Sequence, residues 1–138
     1  MKPSECIFFQ LAKASQSAVR YWGQQVAPLG VTAVQAMTLM FLVDADPMTS
    51  RDLGEKTQLD SATLTGIIDR LEAQGLVVRR EHPDDRRAIL VALTGPGKET
   101  AGKISILVGE ANRAFLKDLS EADQDALRRF LAVIRAAG

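Results

Sequence analysis

A single cysteine and a single histidine are all that 138 residues provide as soft or imidazole ligands. Cys6 on its own excludes an internal disulfide, and His82 on its own leaves no cluster at metal-ligand spacing. Serine and cysteine nucleophile schemes would both have to use His82, which sits in a polar turn. The chain therefore reads as no enzyme, with no metal and no cofactor. Gly95-Pro96-Gly97-Lys98 lacks the first glycine of a phosphate loop and reads as a turn opening a helix. Aromatic residues make up only 5% of the chain, so Leu, Val, Ile, Ala and Met must fill the core. No apolar run approaches the roughly 20 residues of a membrane span. The opening stretch, Met1 to Leu11, lacks a basic leader with a long apolar continuation. The expectation is a soluble cytoplasmic protein with no membrane partner. Charge of one sign is missing too: 17 basic residues face 17 acidic ones. Between residues 49 and 87, seven cations (Arg51, Lys56, Arg70, Arg79, Arg80, Arg86, Arg87) meet eight acids (Asp52, Glu55, Asp60, Asp69, Glu72, Glu81, Asp84, Asp85). Bulk electrostatics thus gives nucleic-acid binding no support, and any such function must rest on arrangement.

What is present is helical periodicity. From Ile7 to about Val26, Phe8, Leu11, Ser15, Ala18, Val19 and Trp22 fall at spacings of three and four, which predicts an amphipathic helix. Pro28-Leu29-Gly30 breaks it. Thr32 then caps a second helix to about Val43, with Val34, Met37, Met40 and Phe41 expected inward. After a turn at residues 44–47, Thr49 or Ser50 caps a short helix to about Lys56, anchored by Leu53. Residues 57–59 make a tight connection. Asp60, or alternatively Ser61, caps the next helix, whose buried stripe is Leu64, Ile67, Ile68 and Leu71 and whose C′ residue is Gly75. Two helices joined by about three residues suit a helix-turn-helix.

The period then changes. Residues 76–80 and 88–93 are β-prone runs around a charged connector that contains Pro83-Asp84-Asp85. A hairpin placed directly after such a helix pair makes the winged variant. Thr94 caps a long helix from about Pro96 to Leu119, with Ile104, Leu107, Val108, Ala111 and Phe115 as its stripe. Ser120 to Asp123 resembles a capping box opening a last helix that carries Leu127, Phe130, Leu131 and Ile134.

The fold expected is mainly α with a small β-hairpin wing. N-terminal helices (1–47) and C-terminal helices (95–138) flank a winged helix-turn-helix at 48–94. The flanking helices carry more apolar face than so small a module needs. A homodimer formed by them is the economical solution, set against a monomer in which they simply wrap the core.

Leu59 to Thr65, Ile68 to Val77, and the wing segments Asp84 to Ala88 and Leu90 to Thr94 together resemble the MarR family of bacterial regulators. The order of elements matches over nearly the whole chain. The resemblance implies a homodimer that binds double-stranded DNA and usually represses by occupying a palindromic promoter site. Its recognition helix maps onto Asp60 to Gln74, with Ser61, Ala62, Thr63, Thr65 and Gly66 as the exposed early positions. Small side chains there let a helix sit deep in the major groove, their hydroxyls accepting from or donating to base edges. Helix capping by Ser61 and Thr63 is the plainer role. Arg70 either reaches a phosphate or stays on a solvated face. In the wing, the resemblance assigns Arg87 to the minor groove, Asp85 to a bidentate hold on its guanidinium, and Arg86 to the backbone.

Family members commonly bind small aromatic or anionic effectors between the dimer helices and the DNA lobe. Here Phe8, Phe9, Leu11, Trp22, Met37 and Phe41 would line that region, with plain core packing as the alternative. The recognition helix is most similar to the organic-peroxide-sensing OhrR branch. Aligned through Ala14-Ser15, however, the branch's cysteine falls on Phe8, and its supporting tyrosines on Ala12 and Trp22. Cys6 lies two residues away, about 200° around a helix. Redox response through Cys6 and a protein-binding winged helix stand as the alternatives to a ligand-released repressor.

Overall fold

The computed structural model describes all 138 residues as six α-helices and a small antiparallel sheet. Helix α1 (Ile7–Val26) ends in a 3-10 turn, and Gly30 supplies the left-handed residue at φ 78°. Helix α2 (Ala33–Asp44) opens on a complete capping box: Gln35 N–H donates to Thr32 Oγ1, and Thr32 N–H donates to the Gln35 side chain. Strand β1 (Met48–Thr49) precedes α3 (Ser50–Thr57), and α4 (Ser61–Ala73) follows a three-residue connection. Strands β2 (Val77–Glu81) and β3 (Ile89–Leu93) form the wing, α5 spans Gly95–Phe115, and α6 spans Glu121–Ala136. The architecture is the mainly helical winged helix-turn-helix expected from the sequence.

Strand β1 was not expected. It pairs with the outer side of β3, Met48 opposite Val91 and Thr49 opposite Leu90, giving the order β1-β3-β2. Two residues have no periodicity to detect. The Asp46 side chain continues the edge by accepting from Leu93 N–H at 3.0 Å.

The core runs from α2 and α3 through α4 and the sheet to α5. Its fully buried members include Leu39, Leu42, Leu53, Leu71, Val77, Val91 and Ile104. The inward face of α2 differs from the expected one. Ala36, Leu39 and Leu42 are buried, Met40 and Phe41 are half-buried, and Val34 and Met37 are exposed. This helix is apolar nearly all the way round, so periodicity cannot choose its face. Helix α5 also stops at Phe115, four residues early. The Gln124 amide donates to the carbonyls of Leu116 and Leu119, satisfying chain-end acceptors from the next helix. Ser120 caps α6 through Asp123 N–H, without the reciprocal bond of a full box.

A knot at the base of the wing joins its strands to α5. Thr94 Oγ1 accepts from Gly97 N–H and donates to Gly75 O, while Thr94 N–H donates to Leu76 O. Gly97 lies so close that a Cβ there would fall 1.9 Å from Leu76 O and 2.9 Å from its carbonyl carbon. Backbone cannot swing aside as a side-chain tip can. Gly97→Ala is expected to cost about 1–3 kcal/mol, the range for overpacking. A thermal midpoint unmoved within about 1 °C would contradict that contact, because 1 kcal/mol shifts it by several degrees.

Candidate nucleic-acid interface

Helix α4 is presented by its caps. Gln58 turns the chain at φ 59°, and the Asp60 carboxylate then accepts from Thr63 N–H at 2.8 Å and Thr63 Oγ1 at 2.7 Å. Those bonds, the backbone one foremost, hold the Asp60 carboxyl below its ordinary value of 3.8. The cap's contribution is complete above that ordinary value and is lost only as pH falls through the lowered one. At neutral pH Asp60 is a fixed negative charge. Leu64, Ile67, Ile68 and Leu71 anchor the helix in the core as expected. Ser61, Ala62, Thr63, Thr65 and Arg70 are exposed, and Gly66 is half-buried.

The hydroxyls are more restricted than composition implied. Thr63 donates to Asp60, and Thr65 Oγ1 donates to Ser61 O at 2.8 Å. Both threonines therefore offer outward only lone pairs and a methyl group. Ser61 Oγ bonds to nothing within the chain and keeps its proton available.

The wing tip, residues 82–88, is stiffened by local bonds. Asp84 N–H donates to His82 Nδ1 at 3.1 Å, Arg87 N–H to Asp85 Oδ1 at 2.9 Å, and Ala88 N–H to Asp85 O at 3.1 Å. The only histidine is thus a turn residue. Arg87 projects with its side chain 95% exposed, and its Nε lies 3.6 Å from the same Asp85 oxygen. The expected bidentate hold is absent. Asp85 Oδ1 is committed to the turn's backbone, which fixes the chain around Arg87 and leaves the guanidinium fork free.

The eight acids and seven bases of residues 49–87 play unequal parts. Asp60 caps a helix, Asp69 and Glu72 hold Arg79, Glu55 pairs with Arg51, and Asp85 shapes the wing. Lys56, Arg70, Arg80 and Arg86 have no carboxylate within 4.0 Å. Asp52, Glu81 and Asp84 have no cationic partner either, so any positive field is local. A hollow of about 630 Å³ lies between the elements, with Ser50, Arg51 and Glu55 from α3, Ser61 and Thr65 from α4, and Arg79 and Ile89 from the sheet. The start of α4 and the strands of the wing therefore bound one concavity.

The expected effector residues do not form one site. Trp22 and Met37 line a groove of about 190 Å³ together with Ala18, Tyr21, Val108, Ala111, Asn112, Phe115 and Leu116. Phe41 lines a neighbouring hollow of about 220 Å³, which Met37 also borders. Phe8, Phe9 and Leu11 line neither. Phe8 lies 14 residues before Trp22, about 21 Å along the helix at 1.5 Å per residue, and is 80% exposed. Sequence reasoning missed Tyr21, which sits off the chosen stripe and packs on Phe115 at 5.2 Å. Trp22 Nε1 is buried with no hydrogen-bond partner. Cys6 immediately precedes α1, half-buried and outside both hollows.

Comparison with known proteins meets this geometry. The model of the MarR family matches residues 29–88. The chain is 32% identical over 97 residues to the organic hydroperoxide resistance transcriptional regulator of Bacillus subtilis, a match spanning 70% of this chain and 66% of that protein. It is 31% identical over 117 residues to the multiple antibiotic resistance protein MarR of Escherichia coli, spanning 85% and 81% of the two chains. The crystal structure of a MarR mutant from E. coli complexed with operator DNA superposes at a TM-score of 0.86 with 27% identity, over 93% of this chain and 92% of that one. BpsR of Bordetella bronchiseptica, whose DNA binding is regulated by 6-hydroxynicotinic acid, superposes at 0.90 with 27% identity over 98% and 96%. No single helix here is long and apolar enough to cross a membrane. By its 31% identity to MarR over 81% of that protein, and by the family match, the chain belongs to the MarR family.

Proposed function

We propose that this chain is a cytoplasmic, sequence-specific DNA-binding repressor that acts as a homodimer on a palindromic site, works by binding rather than catalysis, and is released by a small ligand. The observation that carries the proposal is the pairing, around one concavity, of a helix start lined with small exposed residues and a stiffened wing with a projecting, exposed Arg87. Ser61, Ala62, Thr63, Thr65 and Gly66 read the major groove. Arg87 enters the minor groove, and Arg70 and Arg86 hold phosphates. Residues 48–94 make the reading lobe, and residues 1–47 and 95–138 make the dimer. Similarity to a protein seen on operator DNA supports this assignment.

For release, the groove between α1, α2 and α5 is the preferred place. A cavity of about 150 Å³ can hold one benzene-sized ring, and Trp22, whose Nε1 is buried without a partner, lines this groove. BpsR offers a precedent in a hydroxylated aromatic acid. Redox control through Cys6 draws on the Bacillus relative, but Phe8 stands where that branch's cysteine would be.

Equilibrium binding to random duplex across a salt series tests the proposal. Log affinity should fall linearly with log salt, by about 0.9 for each phosphate neutralised. Absence of binding to any duplex at low salt would overturn it and favour a winged helix that binds protein.

A further inference from the structure

Arg79 is the most heavily bonded side chain in the molecule. Its Nη2 donates to Asp69 Oδ1 at 2.6 Å and lies 3.5 Å from Thr65 O, and its Nη1 donates to Glu72 Oε1 at 3.0 Å. Its own backbone N–H donates to Glu72 Oε2 at 3.2 Å. Thr65, Asp69 and Glu72 stand at spacings of four and three, one continuous stripe of α4. Arg79 lies on β2, three residues into the wing. The guanidinium thus ties the wing's first strand along two turns of the helix that begins with Ser61.

Covalently, α4 and β2 are joined only by Gln74, Gly75 and Leu76, with Gly75 at φ 75°. Such a link fixes distance better than angle. An isolated surface ion pair stabilises a fold by no more than about 1 kcal/mol; this cluster is a network, and every one of its bonds crosses from the wing to α4. Its side chain is also withdrawn, 27% exposed against 95% for Arg87. A residue reaching for phosphate would show the opposite.

We infer that Arg79 is a positioning residue, which sets the angle between α4 and the wing and so delivers Arg87 to the groove beside the one α4 reads. This rests on the DNA-binding reading above. Because Arg79 is satisfied internally, its charge adds little to the local field. What it supplies is geometry.

The test uses the full chain and the duplex that the unaltered protein selects from a random library. Arg79→Gln should weaken binding at least fifteenfold or so, within the range of couplings between linked residues, with the protein still fully folded at the assay temperature. Its salt slope should fall by about one per lobe, as for loss of a phosphate or groove cation, although Arg79 itself touches no DNA. Adding Arg87→Ala to Arg79→Gln should then cost less than about twofold more, because a misplaced arginine has little left to lose. The pair Asp69→Asn with Glu72→Gln, which keeps the Arg79 charge, should reproduce the loss. That pair also decides the matter if Arg79→Gln fails to fold. Independent, multiplying effects of Arg79→Gln and Arg87→Ala would overturn the inference, and so would full affinity in the Asp69→Asn/Glu72→Gln protein. Failure of the unaltered protein to bind any duplex would instead sink the DNA-binding reading, and this inference with it.

Discussion

Replacing Arg87 by alanine is expected to weaken operator binding by about thirtyfold or more while leaving the thermal midpoint where it was. The second half follows from exposure. The side chain is 95% exposed and touches only one Asp85 oxygen, at 3.6 Å. Such a pair is worth about 0–1 kcal/mol. The bond that shapes the tip comes from the Arg87 backbone N–H, which alanine keeps. The first half follows from what a guanidinium does in a groove. One good base-edge contact is worth about 1–3 kcal/mol, and a symmetric dimer loses it twice. Two to six kcal/mol is about thirtyfold to 10⁴-fold. A gel-shift or anisotropy titration checks the value. Affinity unchanged within about threefold, less than one lost contact, would remove Arg87 from the interface.

Phe130→Glu is expected to split the dimer. Helix α6 buries none of its residues within one chain, and Phe130 and Val133 are 61% and 69% exposed. Phe8 and Val19 on α1 and Phe115 on α5 add to the uncovered apolar surface. So much exposed apolar side chain is unusual for a monomer and ordinary for half of an interface. Burying one phenylalanine stabilises by about 1.5–3 kcal/mol, and twofold symmetry counts it twice. The dimer dissociation constant should therefore rise by about 10² to 10⁴, and the buried glutamate adds a desolvation cost. Sedimentation equilibrium reads the mass directly. Operator affinity should fall with it, because a monomer engages one half-site and loses the gain from linking two lobes. If instead the terminal helices merely wrap the core, the substitution lies in solvent and both mass and affinity stay as they were.

The parts of the fold legible from sequence are those where one stripe and one cap agree. Helix α4 shows this: Asp60 before it, Leu64, Ile67, Ile68 and Leu71 along it, and Gly75 after it all point to one placement, and the chain adopts it. Helix α2 has a clear start at Thr32 but no polar face, so Ala36, Leu39 and Leu42 could not be told from Val34 and Met37. Tertiary packing alone chose between them. Strand β1 is set by its partner and not by its own two residues. The candidate site divides the same way. The exposed residues of α4 and the wing arginines could be located because turn and cap chemistry mark their elements. The Arg79 cluster could not, since its partners lie seven, ten and fourteen positions upstream across a turn. A cation opposite an acidic i, i+3 pair was the available signal. The groove between α1, α2 and α5 was hardest, because Tyr21 and Phe115 meet only once α1 crosses α5.

Neutral composition also changes meaning once the fold is known. The acids of residues 49–87 did not have to oppose DNA binding, because five of them are spent on caps, turns and internal pairs. Lys56, Arg70, Arg80 and Arg86 stand beside them with no carboxylate partner.

A symmetric dimer that reads DNA with α4 and the wing of each lobe must select paired half-sites. Selection of bound duplexes from a random library by the purified full chain tests it most directly. An inverted repeat whose half-sites are centred about one helical turn apart, 10–10.5 base pairs, should be enriched, with A·T-rich flanks where Arg87 enters a narrow minor groove. No enrichment over the starting pool, or enrichment of a single unrepeated motif, would contradict it.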